Sequence, residues 1–330
     1  MVTIGGVDLA EYGITPIQNG NGNIAFMGLF DMPARIGKTF HDWQDENGIE
    51  PYVRADEIRY GGRDIVLNAL LVQEYENQAL RKLEAFYIAI QGFTDLVDLV
   101  TDYGTYEVYL KDEIKGEYFP QGIVKLQLSF RQPIVPITGT IPATDNTTYG
   151  IDGISFQALG LTIMDVEGRH NLPAPKAQLF TAYATEGYQI TKRNYRELIL
   201  KCVLQDSSLN GFQTRIDSLL KLFSKEGLRT ITYRSDALRT FFVKDGFQVS
   251  EVYELDGKVF GVVNIRCVQV GRELDWNFLT THTGEPILTH TGAYIYLDSV
   301  QNNRDFNYLT NNNNQFLTTS NGLRIRANDL

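Results

Sequence analysis

Gly37-Lys38-Thr39 carries the residue types that end a phosphate-binding loop, where backbone amides wrap an anion and the lysine reaches its oxygens. The complete loop needs another glycine at position 32, which is Met32, and a helix behind it whose N-terminus faces the anion. A hairpin pattern follows instead, so nucleotide binding is not expected. Asn19-Gly20-Asn21-Gly22-Asn23 is glycine-rich but lacks the strand–turn–helix setting of a dinucleotide site, and reads as a mobile loop. Among four histidines, His41 sits on an alternating segment beside Trp43. His282 and His290 stand in two Thr-His-Thr-Gly phrases with no carboxylate or cysteine nearby, a poor ligand set for a metal. Asp42, Asp45, Glu46 and Glu50 crowd one hairpin, and Asp95, Asp98 and Asp102 follow the first helical pattern. Paired acids at such spacing could hydrolyse glycosides, but these fall on turns and read first as a solvated face. No Gly-x-Ser-x-Gly elbow is present. Cys202 and Cys267 lie on apolar strands and match Ala69 and Leu128 of an earlier repeat, so they read as core fillers. No catalytic, cofactor or metal residue is assigned, and the chain is expected not to be an enzyme.

Composition narrows the field further. The 330 residues are 43% hydrophobic, 21% charged and 12% aromatic, enough apolar surface to support folded domains. No run of about 18 apolar residues marks a spanning helix, and the opening residues lack a basic-then-apolar leader pattern. Thirty basic against forty acidic side chains leave a net charge of −10, a poor basis for gripping nucleic acid. Length alone points to two domains of about 150 residues.

The chain repeats itself, which fixes the elements that any site must stand on. Ile4-Gly5-Gly6-Val7-Asp8-Leu9 with Gly13-Ile14-Thr15 matches Ile151-Asp152-Gly153-Ile154-Ser155-Phe156 with Gly160-Leu161-Thr162. Met32-Pro33-Ala34 matches Leu172-Pro173-Ala174, and Arg63-Asp64-Ile65-Val66-Leu67 matches Arg196-Glu197-Leu198-Ile199-Leu200. Residues 1–133 and 151–272 are therefore expected to be two units of one fold, joined by a linker at 134–150 rich in Pro, Gly, Thr and Asn. Each unit should carry a hairpin, turning at Glu46-Asn47-Gly48 in the first and Glu186-Gly187 in the second. An alternating strand follows, at Ile65–Leu71 or Leu198–Leu204. Then comes an amphipathic helix, marked by Leu80, Leu83, Tyr87 and Ile90 or by Phe212, Ile216, Leu219 and Phe223. Asn77 and Asn210 are the expected helix N-caps. Closing strands at Thr105–Leu110 and Ile123–Phe130, or Arg239–Val243, Val249–Leu255 and Val259–Val270, make the class α+β, mainly β. The tail, 273–330, repeats Leu-Thr four times before Gly- or Asn-rich turns and reads as short hairpins.

The opening Ile4-x-Gly6-x-x-Leu9 with Gly13-Ile14, the Asp31-Met32-Pro33-Ala34 stretch, the hairpin Phe40 to Gly48 and the Arg63–Leu67 strand together resemble the distal tail and tail-tip hub proteins of long-tailed bacteriophages. The resemblance implies two tandem tail-tube-like antiparallel β-sandwich or barrel units, each with one packed helix, and a hairpin-rich C-terminal extension. It implies a homo-oligomeric ring, trimer or hexamer, in the virion tail, assembled in the bacterial cytoplasm without a membrane. The ring would connect the tail tube to the baseplate or receptor-binding apparatus, beside the tail tube protein, the tape measure or hub, and receptor-binding proteins. DNA would be cargo only, passing a lumen. Candidate inter-subunit contacts are Phe40, Trp43, Tyr52, Trp276, Phe278 and Phe316. The usual distal tail protein follows one tube-like unit with a carbohydrate-module-like domain. Here a second copy of the first unit takes that place. A carbohydrate- or receptor-binding module, stacking sugars on Trp43 or Trp276, is the alternative.

Overall fold

The computed structural model describes residues 1–18, 22–44, 46–145, 149–182, 185–233 and 239–270, and of 177–191 the backbone alone. The chain divides into a compact unit, Met1–Gly271, and a second, Arg272–Leu330. The tail, with His282, His290, Trp276, Phe278 and Phe316, lies outside the described residues, as do Asn19, Gly20, Asn21 and Asp45.

A tight hairpin opens the fold, β1 (Thr3–Ile4) with β2 (Val7–Asp8), followed by a 3-10 turn at Leu9–Tyr12 and β3 (Ile14–Pro16). The short strands β4 (Phe26–Met27), β5 (Phe40–His41) and β6 (Glu50–Pro51) lead to the long β7 (Arg63–Val72) and helix α1 (Glu76–Ile90). β8 (Val97–Thr101), β9 (Gly104–Leu110), β10 (Lys115–Phe119) and β11 (Ile123–Gln132) complete the first half. The second half runs β12 (Gly150–Ile151), β13 (Ile154–Ser155), β14 (Leu161–Glu167), β15 (Pro175–Ala182), β16 (Thr185–Arg193), β17 (Arg196–Asp206) and α2 (Leu209–Ser224). It closes with β18 (Arg229–Thr232), β19 (Arg239–Phe242), β20 (Phe247–Leu255) and β21 (Lys258–Gln269).

All pairings are antiparallel among the described residues, and the chain is mainly β with a curled, half-barrel sheet. The first sheet is ordered β2-β1-β8-β9-β11-β7-β3, with β10 beside β11 and β4 beside β7. The second is ordered β13-β12-β18-β19-β21-β17-β14, with β20 beside β21. Where β14 is one bulged strand along β17, the first sheet has two pieces, β3 and β4, along β7, separated by the extra glycine-rich residues. The halves share left-handed backbone positions: Gly13 and Gly160 at φ 72° and 73°, and Gly28 and Gly168 at 76° and 78°. A Cβ on Gly28 would meet the Asp64 carbonyl, and one on Gly168 the Glu197 carbonyl, so neither position admits another residue without a shift.

Strict alternation buries one face of each long strand. Ile65, Leu67, Ala69 and Leu71 of β7 point to the core, as do Leu198, Leu200, Cys202 and Leu204 of β17. Ala79, Leu83, Phe86 and Ile90 form the inward stripe of α1, and Phe212, Ile216, Leu219 and Phe223 that of α2. Each fully buried Leu, Ile or Phe contributes about 1.5–3 kcal/mol, and the two halves share one continuous apolar core.

Three expectations need correction. The N-cap of α2 is Ser208, whose hydroxyl accepts from the Gly211 amide at 3.0 Å, and α1 starts after Tyr75 without a side-chain cap. Asn77 and Asn210 are one residue inside their helices, where the backbone is already helical and no capping geometry is open to them. The second hairpin closes at the pair Ala182–Thr185, so Glu186 and Gly187 lie in strand opposite Thr181 and Phe180. Cys267 faces Leu198 as Phe130 faces Ile65, so register matches it with Phe130 rather than Leu128.

Both thiols are buried, and burial pushes Cys202 up to about 12 and Cys267 well above its ordinary value. A maleimide or disulfide reagent at pH 8 is therefore expected to label neither cysteine in the native chain and both in denaturant. Stoichiometric labelling of the folded protein would contradict the burial.

Candidate functional site

Two polar joints tie the first half to the second among the described residues. The segment after the glycine-rich loop, residues 22–35, runs antiparallel to β20 along the edge that β21 does not use. The Asn23 amide donates to the Val252 carbonyl, that of Met32 to the Phe247 carbonyl and that of Arg35 to the Lys244 carbonyl, at 2.8–2.9 Å. The Asn23 side chain also closes a two-way pair with the backbone of Glu254. Gly22 sits so near Val252 that a Cβ would lie 2.6 Å from its carbonyl oxygen, which makes glycine the residue that permits the approach.

Asp31 is the buried centre of this seam. Its Oδ1 accepts from the Val249 amide at 2.7 Å. Its backbone carbonyl accepts from Arg63, whose Nε donates to Gln132 at 2.8 Å and whose guanidinium lies 5.4 Å from the Tyr106 ring centre. Burial pushes the Asp31 carboxyl up to about 6, against the opposing pull of the Val249 amide and the Arg63 charge. Asp217 of α2 is raised by burial and lowered by the same arginine. Aromatic packing continues the seam: Phe30 stands edge-on to Phe212 at 5.4 Å and to Tyr103 at 6.1 Å. The Tyr60 hydroxyl donates to the Phe223 carbonyl.

A second joint is made by the first hairpin. Lys176, 5% exposed, places its ammonium inside the loop between β5 and β6. There it donates to the Asp42 carboxylate and to the carbonyls of Trp43, Glu46 and Gly48. Asn47 accepts from the Arg193 amide, and the Gly48 amide donates to the Arg193 carbonyl. Below the loop, Phe40, Ile49 and Val53 pack with Phe242, Val268, Val270 and Leu228 of the second half. The Gly227 amide also donates to the Val53 carbonyl at 2.7 Å.

The sequence-derived candidates fall unevenly on this geometry. Phe40 is turned to its own chain, edge-on to Tyr195 at 5.6 Å, with Lys244 over its ring. Tyr52 is half-buried, its amide donating to the Thr39 carbonyl and its ring beneath Lys38. Trp43 is 44% exposed, tilted against His41, and donates to Glu50. Gly37-Lys38-Thr39 leads into β5, and Lys38 contacts His41 Nδ1 at 2.7 Å. The hairpin acids have separate partners, Lys176 for Asp42 and the Trp43 indole for Glu50. Sequence reasoning quoted Asp31 within a motif but missed its contact with β20, and it missed Lys176. The match of Met32-Pro33-Ala34 with Leu172-Pro173-Ala174 was the available signal that this stretch is structural. No family model and no curated protein matches the chain.

Two outcomes test these joints. The folded Asp31 carboxyl holds its proton more tightly than the unfolded one, which ionises near pH ~4. Stability is therefore lost as pH rises from there through about 6, and the loss is complete above. Asp31→Asn keeps the acceptor for Val249 and removes the ionisation. Its gain in unfolding free energy over wild type should grow across that window and then level off; parallel pH curves would contradict it. Lys176→Met leaves four oxygens without their donor and should cost about 3 kcal/mol in denaturant melts, with new proteolysis between Asp42 and Gly48. An unchanged midpoint would remove the joint's importance.

Proposed function

We propose that this chain is a structural subunit of the tail tip of a long-tailed bacteriophage, of the distal tail or tip-hub kind. In this reading one tail-tube-like unit is used twice, at 1–133 and 151–272. Three or six chains then close a ring that links the tail tube to the receptor-binding apparatus and lets DNA pass.

The observation that carries the reading is the correspondence of the two sheets, strand for strand in spatial order, with left-handed glycines at matching turns. A unit that packs on a copy of itself inside one chain, through a contact whose two sides differ, has the geometry from which rings are built. Among the described residues β10 pairs with β11 alone and is exposed along its length, an edge that ring closure would cover. The net charge of −10 is compatible with a lumen that repels phosphate.

Light scattering coupled to gel filtration, with negative-stain images of the peak, tests this. The expected species is three or six chains with six lobes around an open centre. A monomer at the highest attainable concentration, with no added tail protein able to assemble it, would overturn the reading.

A further inference from the structure

We infer that the seam inside the chain is repeated between chains: the second half of one copy docks on the first half of the next as the first half docks on the second within one copy. The inference rests on the ring reading and adds the surfaces, the direction and the partner, a second copy of this chain.

The argument compares each covered surface of the second half with its counterpart in the first. β20 is covered by residues 22–35, and Phe247 and Val252 are buried there. Its counterpart β10 is exposed at all five residues, so Gly116 is open where the matching Val249 is buried. The outward side of α2 is covered too: the linker crosses it at Gly139, where a Cβ would meet the Asp217 carbonyl, Ser218 is 7% exposed, Leu222 is buried, and Gln213 donates to the Tyr103 carbonyl. On α1 the corresponding positions, set by the shared inward stripe, are Ala85, Ala89 and Leu80, of which Ala85 and Leu80 are exposed. The first hairpin fills the groove at Leu228, Phe242 and Val268. At the matching place on the first sheet lies a cleft of about 460 Å³ lined by Phe93, Leu96, Val97, Tyr109 and Leu110. Tyr109 faces Arg131 across the ladder as Phe242 faces Val268.

Among the described residues, surfaces that would cover β10 and the cleft are also in place; the counterparts of the linker and of Tyr103 fall after Val270 and between β18 and β19, outside the described residues. Gly168–Asn171 makes the same turn as Gly28–Asp31, each closed by an amide-to-carbonyl bond. After it Leu172 is 62% exposed where Met32 is 3% exposed. Asn171 stands where Asp31 accepts from Val249, and Gly116 stands where Val249 donates, as their registers on β11 and β21 show. The β15–β16 hairpin takes the place of β5–β6. Charge agrees: Asp217 of α2 faces Arg63 within the chain, and their counterparts are Glu84 on α1 and Arg196 at the start of β17. Three contacts are not carried over. Pro175 has no amide to repeat the Arg35 bond, Glu113 replaces the close-packed Gly246, and the longer first-half loop leaves Asn23 without a counterpart residue in the second half. The copy-to-copy seam is thus the weaker of the two, and chains fold before they join.

A head-to-tail seam has a signature that a symmetric one lacks. Leu172→Asp spoils one face, and Ala85→Arg spoils the other; both residues are exposed in the single chain, so thermal melts should match wild type. Each variant alone is expected to run as one chain where wild type forms rings. Mixed in equal amounts, they should form a two-chain species, because each retains the face that the other lacks. Rings formed by either variant, or no pairing in the mixture while wild type still forms rings, would overturn the assigned surfaces and leave the ring reading standing. Wild type that stays monomeric would overturn both.

Discussion

An antiparallel strand leaves one row of amides and carbonyls unpaired unless something lies beside it, and β20 is the strand on which the architecture turns. Its inner row pairs with β21, and its outer row meets the segment from Asn23 to Arg35 of the other half. Burial of this seam requires every backbone group in it to find a partner, because an orphan buried amide or carbonyl costs about 1–3 kcal/mol. The seam meets that demand with backbone bonds at Met32 and Arg35 and with side chains at Asn23 and Asp31. Once it is made, Phe30, Tyr103 and Phe212 close over α2 and the two halves share one core.

The same constraint explains several otherwise odd residues. A carboxylate in a nearly dry seam is costly in its charged form, and Asp31 tolerates it through the Val249 amide and the nearby Arg63. The second half has Asn171 there, a neutral group with the same acceptor, at a place that is exposed in the single chain. Lys176 solves a different problem. The loop between β5 and β6 turns several carbonyls inward, and the three N–H groups of one ammonium are shared among three of them and Asp42. Lys176, reaching across from β15, thus adds to the Arg193 and Gly227 bonds and the apolar cluster that hold the hairpin to the second half.

Much of the fold was legible because it rests on short-range rules. Alternation located β7, β11, β17 and β21, and the spacing of Leu83 and Ile90 or Ile216 and Phe223 located both helices. The repeated phrases fall on strands that hold matching places in the spatial order of the two sheets. What escaped has physical reasons. β10 is polar or exposed at every position, so no alternation marks it. Ser208 wins the α2 cap from Asn210 because the chain is still extended there, at φ −154°. The seam itself depends on residues far apart in sequence, Asp31 with Val249 and Lys176 with Asp42, and nothing local announces such a pairing. Exposure separates surfaces that sequence treats as alike: Met32 and Leu172 are equivalent in type, yet one is covered and the other is not.

Amide hydrogen exchange read at Val249 and Gly116 tests the central claim most directly, that the two halves present the same edge with only one of them covered inside the chain. In dilute single chains the Val249 amide should be strongly protected and the Gly116 amide should exchange freely. As concentration is raised and rings form, protection should appear at Gly116 while Val249 stays unchanged. Rings that form with Gly116 still exchanging freely, or a Val249 amide that exchanges freely in the folded single chain, would contradict the account.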